Sequence, residues 1–331
     1  MMTFKEGFRM KVAVIIPCYK VTKSVLRVIK EVGSEVDVIF VVDDCCPDGS
    51  GSHVEVFCKD NRVVVIRHAI NQGVGGAVIS GYIAALEAGC DVMVKLDGDG
   101  QMDPSLIKTF ITPIARGDAD YTKGNRFYDI ETVRSMPNIR LFGNAVLSFF
   151  TKFSSGYYNI FDPTNGYTAI SSTALRMLPL LKISPRYFFE SDILFRLNTV
   201  GAIVVDVPMV AVYGDEVSNL HIRKILLPFF IGHCTNFFKR LFYGYFLRDF
   251  SIASLELVIG VIFLIFGITY GIYAWYIAAA SASFASSGEV MISALPIILG
   301  VQFIISFLNY DMSRSPRKSL TYLFKSNLEE F

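Results

Sequence analysis

The stretch VMVKLDGDGQ, residues 92–101, decides the fold: a short apolar run breaks into two aspartates, Asp97 and Asp99, each followed by glycine. A run of this length, bounded by turn residues, reads as a buried strand. Gly98 and Gly100 let the chain bend sharply after it, so Asp97, Asp99 and the amide of Gln101 are expected to surround one divalent cation. Hard oxygen donors suit Mg²⁺ or Mn²⁺, which keep some waters and share the phosphates of a substrate. An isolated acidic turn would need no metal, since Asp and Gly are ordinary turn residues. The rest of the chain decides between these readings.

Upstream, strand-like runs recur at 12–16, 36–42 and 63–66, and helix-like segments lie at 24–32 and 76–88. Alternation of this kind predicts an α/β domain with a mainly parallel sheet, whose ligands bind beyond the carboxyl ends of the strands. Polar clusters stand at three of those ends: Pro17 to Lys20, Asp43 to Gly49 with Asp44 and Asp48, and Asp97 to Gln101. One nucleotide with its metal accounts for the repetition, which unrelated acidic turns do not. The glycine run NQGVGGA, 71–77, lies between a strand and a helix. Its amides face an anion there, or its glycines only let the helix pack close to the sheet. A dinucleotide-binding fold wants its glycines after the first strand, and here that strand ends in Pro17 and Tyr19.

The chain has 331 residues, 52% of them hydrophobic, and a mean hydropathy of +0.45. The apolar excess lies near the C-terminus, at 252–280 and 290–308. Each run meets the requirement of about 20 residues for a helix crossing a bilayer, and only a short polar turn, 281–289, joins them. Arg223, Lys224, Lys239, Arg240 and Arg248 precede the first run, Arg314, Arg317, Lys318 and Lys325 follow the second, and the turn has no Lys or Arg. Positive charge stays on the cytoplasmic side, so a multi-pass membrane protein with two spans and both termini cytoplasmic is expected. Tyr273, Trp275 and Tyr276 suit the far interface. The expected organisation is a cytoplasmic domain over 1–217, amphipathic interfacial helices over 218–250, two spans over 251–311 and a cytoplasmic tail over 312–331. Gly267 and Gly271 form a GxxxG that permits close helix contact and self-association. The formal net charge of +1 comes with no basic block interleaved with aromatics, so nucleic acid is not an expected partner. The six cysteines have no CxxC spacing, and residues 1–10 do not read as a secretory signal.

Four segments, IIPCYK (15–20), VVDDCCPDGS (41–50), NQGVGGA (71–77) and KLDGDGQMDP (95–104), resemble the family-2 inverting glycosyltransferases of the GT-A, or nucleotide-diphospho-sugar transferase, fold. With DPTNGYTAIS (162–171) and the paired spans, the chain is most similar to polyprenyl-phosphate glycosyltransferases of the dolichol-phosphate mannose synthase type. The motifs cover about residues 10–225. The resemblance implies a UDP- or GDP-linked sugar donor, a polyprenyl phosphate acceptor and the membrane as partners, and inverting transfer with Mg²⁺ or Mn²⁺. Pro17 and Tyr19 would line the nucleoside pocket, and Asp43 or Asp44 would accept a hydrogen bond from the base. Asp48, Gly73 and Gly75 fall on the donor side, and Asp97, Asp99 and Gln101 would hold the metal and diphosphate.

Asp162 matches an acceptor-side aspartate of this group, or it starts a turn before Pro163. Glu190 and Asp192 lie where many relatives place a general base. A sugar hydroxyl needs a base, whereas a lipid phosphate with a second pKa of about 6 is already largely dianionic; depending on the acceptor, these two carboxylates act as a general base, orient the sugar or begin a helix. The sequence departs from the pattern at AVYGDEV, 211–217, where relatives carry the phosphate-holding Arg-x-x-Gly-x-Ser-Lys. The cations left for the acceptor phosphate are Arg126, the first choice for the active site, and Arg134, Arg140, Arg223 and Lys224. Two alternatives remain: extension of a free or lipid-linked glycan, and a non-catalytic nucleotide-sugar-binding scaffold. A processive synthase is disfavoured, because QxxRW is absent and the single tryptophan, Trp275, lies in a span.

Overall fold

In the computed structural model the described residues are 10–128, 138–163, 165–209, 222–314, 316 and 318–329. Arg134 and the 211–217 segment lie outside them, as do the side chains of Arg140, Arg223 and Lys224. The chain divides into two units, residues 1–237 with 316–331, and Phe238–Ser315.

In the first unit, apolar residues, mostly valine and isoleucine, point to both sides of the strands at 12–18, 38–43 and 92–95, which is the signature of a sheet covered on both faces. The strands are β1 (Val12–Cys18), β2 (Val38–Asp43), β3 (Val63–Arg67), β4 (Val92–Lys95), β5 (Tyr121–Asn125), β6 (Thr168–Ser171) and β7 (Val204–Pro208). Their order is β3-β2-β1-β4-β6-β5-β7. All neighbours pair parallel except β6, which is antiparallel to β4 and β5. Ala13, Ile15, Val42 and Met93 pack on one face with residues of α3 (Val74–Glu87) and of a later helix that carries Phe189 and Ile193. Val14, Ile16, Val41 and Val94 pack on the other with α1 (Val25–Glu31), and with Phe110 and Ile114 of Ile107–Arg116, the fourth helix. Each such side chain contributes about 1.5–3 kcal/mol when fully buried. Two lysines in this setting, Lys95 on β4 and Lys123 on β5, are therefore anomalies that need partners.

The helix Ile222–Phe242 starts in the first unit. Its buried His233 and Asn236 face that unit, while Leu226, Leu227, Phe230 and Ile231 are exposed. The His233 ring lies among Phe150, Phe188 and Phe229, and its Nδ1 is 2.8 Å from Ser154 Oγ. Burial lowers its pKa to about 4, against about 6.5 when unfolded. The unfolded chain binds the extra proton, so the stability carried by the neutral ring is complete above pH 6.5 and is lost as pH falls towards 4. Between pH 7 and pH 5 this group should cost about 2 kcal/mol. Thermal melts at the two pH values check it: His233→Phe should flatten the difference, and an unchanged slope would contradict it.

In the second unit two long helices, Ile252–Ala280 and Ser287–Ser313, are apolar enough to cross a membrane. Gly267 and Gly271 lie against the second of them. A Cβ at 267 would sit 2.7 Å from Ile297 Cγ1, and one at 271 would sit 2.3 Å from Ser293 Oγ. The GxxxG thus gives close contact between the two helices of the hairpin. At the hairpin base the buried Arg240 pairs with Asp311 at 2.6 and 2.9 Å, and Tyr245 donates its hydroxyl to the same carboxylate at 2.7 Å.

Residues 316–331, expected as a tail, group with the first unit. The buried Asp120 carboxylate accepts from the main-chain N–H of Leu320 at 2.9 Å, and Leu320 joins the core. The preceding run Arg317-Lys318-Ser319 gave no sign of this docking.

Candidate active site

The parallel strands β1, β2, β4 and β5 all end on one edge of the sheet. Because β6 runs the other way, the loop that precedes it, Asp162 to Tyr167, arrives at the same edge. The register puts Lys95 of β4 and Lys123 of β5 opposite the same residue of β6, Thr168. Topology alone therefore brings the 97–101 loop and the 162–167 loop together.

The acidic loop is held from its backbone. Ser24 donates its hydroxyl to the Gly98 carbonyl at 2.7 Å, and the Gln101 N–H donates to Asp99 Oδ1 at 2.9 Å. Gly100 has φ +79, a conformation that glycine adopts freely. Asp97 Oδ1 accepts from Lys95 Nζ at 2.8 Å. Among the described residues no group of three or more His, Cys, Asp or Glu side chains is placed to hold a metal. Two partly exposed carboxylates, Asp97 and Asp99, nevertheless fit a magnesium-like ion, which takes one or two carboxylates and completes its shell from substrate phosphate and water.

Lys95 Nζ also donates to the Gly166 carbonyl at 3.1 Å and lies 3.6 Å from Glu190 Oε1. Burial alone would lower its pKa, but the Asp97 and Glu190 carboxylates outweigh that and hold it above its ordinary value. Lys123 donates to the Asn165 carbonyl. Arg126 and Asp162, separate candidates in the sequence, form a two-pronged pair: Nε to Oδ2 at 2.7 Å and Nη2 to Oδ1 at 3.0 Å. Asn165 Nδ2 reaches the same Asp162 Oδ2 at 3.4 Å. Asp162→Ala would remove both arginine contacts. Breaking a fully buried pair costs 3–5 kcal/mol, and with Arg126 23% exposed the loss should be about 2–3 kcal/mol. Denaturant midpoints measure it, and a change below about 0.5 kcal/mol would contradict this use of the pair.

Other sequence candidates have different roles. Asp43 and Asp44 were expected to meet a nucleobase, yet both are buried and spent on the protein's own N–H groups. Asp43 accepts from Cys46 and Gly51, each at 2.7 Å. Asp44 accepts from Gln72 and Gly73 at 2.8 Å and contacts His68 Nδ1 at 2.8 Å. They shape the donor-side loops. Gly73 and Gly75 favour the packing alternative: a Cβ there would come within 2.7 Å of the Pro185 carbonyl and 2.5 Å of the Ser184 carbonyl. Asp192 is likewise engaged by the protein's own donors. Its oxygens accept from Ser184 N–H at 2.9 Å, Arg196 Nε at 3.0 Å and Asn236 Nδ2 at 3.0 Å. Glu190, two residues earlier in the helix Phe189–Val200, does join the cluster. Pro17 is half-buried, and Tyr19 and Asp48 are exposed. Lys95, Lys123, Asn165 and Gly166 were missed as site residues, and the available signal was a lysine inside each of two strand runs.

Residues 13–178 match the family described as Glycosyl transferase family 2. The chain is 31% identical over 215 residues to the UDP-N-acetylglucosamine–dolichyl-phosphate N-acetylglucosaminyltransferase of Methanococcus voltae, covering 61% of this chain and 85% of that one. It is 32% identical over 205 residues to the undecaprenyl-phosphate mannosyltransferase of Micrococcus luteus, covering 60% and 83%. Among solved structures it is similar in fold to glucosyl-3-phosphoglycerate synthase from Mycobacterium tuberculosis in complex with Mn²⁺, UDP-glucose and phosphoglyceric acid. That likeness has a TM-score of 0.52 at 16% identity and covers 70% of this chain and 79% of that one.

Proposed function

The chain belongs to family 2 of the glycosyl transferases, with a GT-A fold, and from that premise we propose that it transfers a sugar from a nucleotide-diphospho-sugar to the phosphate of a polyprenyl phosphate at the cytoplasmic face of a membrane. One observation supports the reading: the antiparallel β6 brings Asp162, paired with Arg126, to the same edge as Asp97 and Asp99, where Glu190 of the helix Phe189–Val200 lies beside Lys95. The two polyprenyl-phosphate transferases among the relatives support the acceptor class, and the two apolar helices support the membrane.

In this reading the acceptor phosphate oxygen attacks the anomeric carbon in line with departure of the nucleoside diphosphate, and the configuration inverts. Asp97 and Asp99 would hold Mg²⁺ or Mn²⁺, which supplies charge neutralisation on the leaving diphosphate. Arg126 presents a guanidinium already oriented by Asp162, a geometry suited to phosphate oxygens. Glu190, held beside Lys95, orients sugar hydroxyls. No general base is needed, because the nucleophile carries its own charge. The hairpin supplies proximity, keeping the site where the lipid headgroup is confined.

The test is an acceptor panel. Purified protein in detergent receives labelled UDP- and GDP-sugars, Mn²⁺ or Mg²⁺, and polyprenyl phosphate, polyprenol or oligosaccharide. Label in the organic extract with polyprenyl phosphate alone is the expected result. Label on polyprenol or oligosaccharide points to a hydroxyl acceptor and overturns the proposal.

A further inference from the structure

We propose that Lys95 and Lys123 are positioning residues for the transfer: two buried ammonium groups that hold the Asn165–Gly166 turn against Asp97 and Glu190, and so fix the spacing between the donor and acceptor sides. The inference rests on the transferase reading above.

The two lysines come from different strands and flank Thr168 in one register, so they project to the same face of the sheet. Their exposures are 1% and 0%, and lysine is almost never buried to that degree unless paired. Each finds an acceptor on the same turn, Lys95 on the Gly166 carbonyl and Lys123 on the Asn165 carbonyl. The turn is tight against them: a Cβ on Gly166 would lie 2.5 Å from Lys95 Nζ and 2.7 Å from Asp97 Oδ2. Its far side is pinned as well. Tyr167 stacks on Phe110 with ring centres 4.0 Å apart, and its hydroxyl donates to the Asp103 carbonyl, just past the acidic loop, at 3.1 Å. Asn165 Oδ1 accepts from the Tyr167 N–H at 2.9 Å, while its Nδ2 faces Asp162.

The turn thus joins the carboxylate that faces the donor to the Arg126–Asp162 pair, and the lysines are what hold it down. Replacing one lysine leaves its acceptors in place without their donor, which lowers stability, so the positioning role is read from the kcat of protein that is still folded. A one-ångström error in the spacing they set is worth about 10²-fold in rate.

The test compares Lys95→Met and Lys123→Met with the wild type in detergent, by thermal melting, nucleoside diphosphate binding, donor KM, kcat and the pH profile of kcat. Expected are melting temperatures below wild type but above the assay temperature, nucleotide affinity and KM within about threefold, and kcat lower by about 10²-fold. Burial lowers Lys123 to about 8, with Lys95, Glu190, Asp162 and Asp206 facing it. The wild-type kcat should therefore fall above pH 8, and Lys123→Met should lack that limb. Folded variants with kcat within about threefold of wild type overturn the assignment. So does a loss of activity that only follows the loss of folded protein. Should the variants fail to fold, a wild-type kcat flat from pH 7 to 9 overturns the part assigned to Lys123. Absence of transfer by the wild type in every donor and acceptor pairing overturns the transferase reading and this assignment with it, whereas wild-type transfer with unaltered variants overturns the assignment alone.

Discussion

Asp97→Asn and Asp99→Asn should each lower kcat by about 10²–10³-fold, the size of effect seen when one preorganised electrostatic group is removed from a site of charge development. Asparagine keeps the volume of the side chain and an acceptor oxygen, so Lys95 keeps its 2.8 Å partner at residue 97 and the loop keeps its shape. What is lost is one negative charge of a pair that has no third carboxylate to replace it. The double variant should fall little further than the worse single one, because groups that act as a unit are not additive. The Mn²⁺ concentration for half-maximal rate should rise in both single variants. Steady-state kinetics over a Mn²⁺ titration measures both quantities, and a kcat within about tenfold of wild type would remove these aspartates from the chemistry.

Gly166→Ala should be nearly as damaging, for a steric reason. The added methyl meets Lys95 Nζ, Asp97 Oδ2 and Met102 Cε at 2.5, 2.7 and 3.1 Å. Lys95 is buried and already tied to Asp97, so it has nowhere to withdraw, and the turn itself must rise. Overpacking of this kind costs about 1–3 kcal/mol of stability, and the displaced turn should lower kcat by about 10²-fold. Gly89→Ala serves as the control. Gly89 has φ +70 but nothing within 4 Å of its added Cβ, so it should lose about 1–2 kcal/mol through backbone strain alone and keep its kcat. Equal activities for the two variants would contradict the close fit around Gly166.

Much of this arrangement is legible in the sequence because it is local. Apolar runs ending in polar clusters mark β1, β2 and β4 and the edge they share, and the 97–101 loop announces its chemistry from residue types alone. The second and third layers of the site are not local. β6 is four residues, TAIS, and its antiparallel insertion between β4 and β5 depends on pairings more than 40 residues apart, to which no periodicity points. Without that insertion nothing joins Lys95 to Gly166 or Arg126 to Asp162. Asp43 and Asp44 show the opposite difficulty. A carboxylate after a strand looks the same in sequence whether it reads a ligand or caps its own loop, and the difference lies in the N–H groups of Gly51 and Gly73, eight and twenty-nine residues on. Asp192 had a visible partner in Arg196, one helical turn later. The glycines at 267 and 271 announce close helix contact, but a GxxxG does not say whether its partner helix is the next one in the chain.

The most direct test of the central claim, in-line attack by a lipid phosphate on the anomeric carbon, is the structure of the product. Wild-type protein with an α-linked nucleotide sugar and polyprenyl phosphate should yield a β-linked glycosyl phosphodiester, identified by NMR of the anomeric carbon, and one nucleoside diphosphate for each product formed. An α-linked product, a sugar joined to a hydroxyl, or nucleoside diphosphate released with free sugar alone would contradict it.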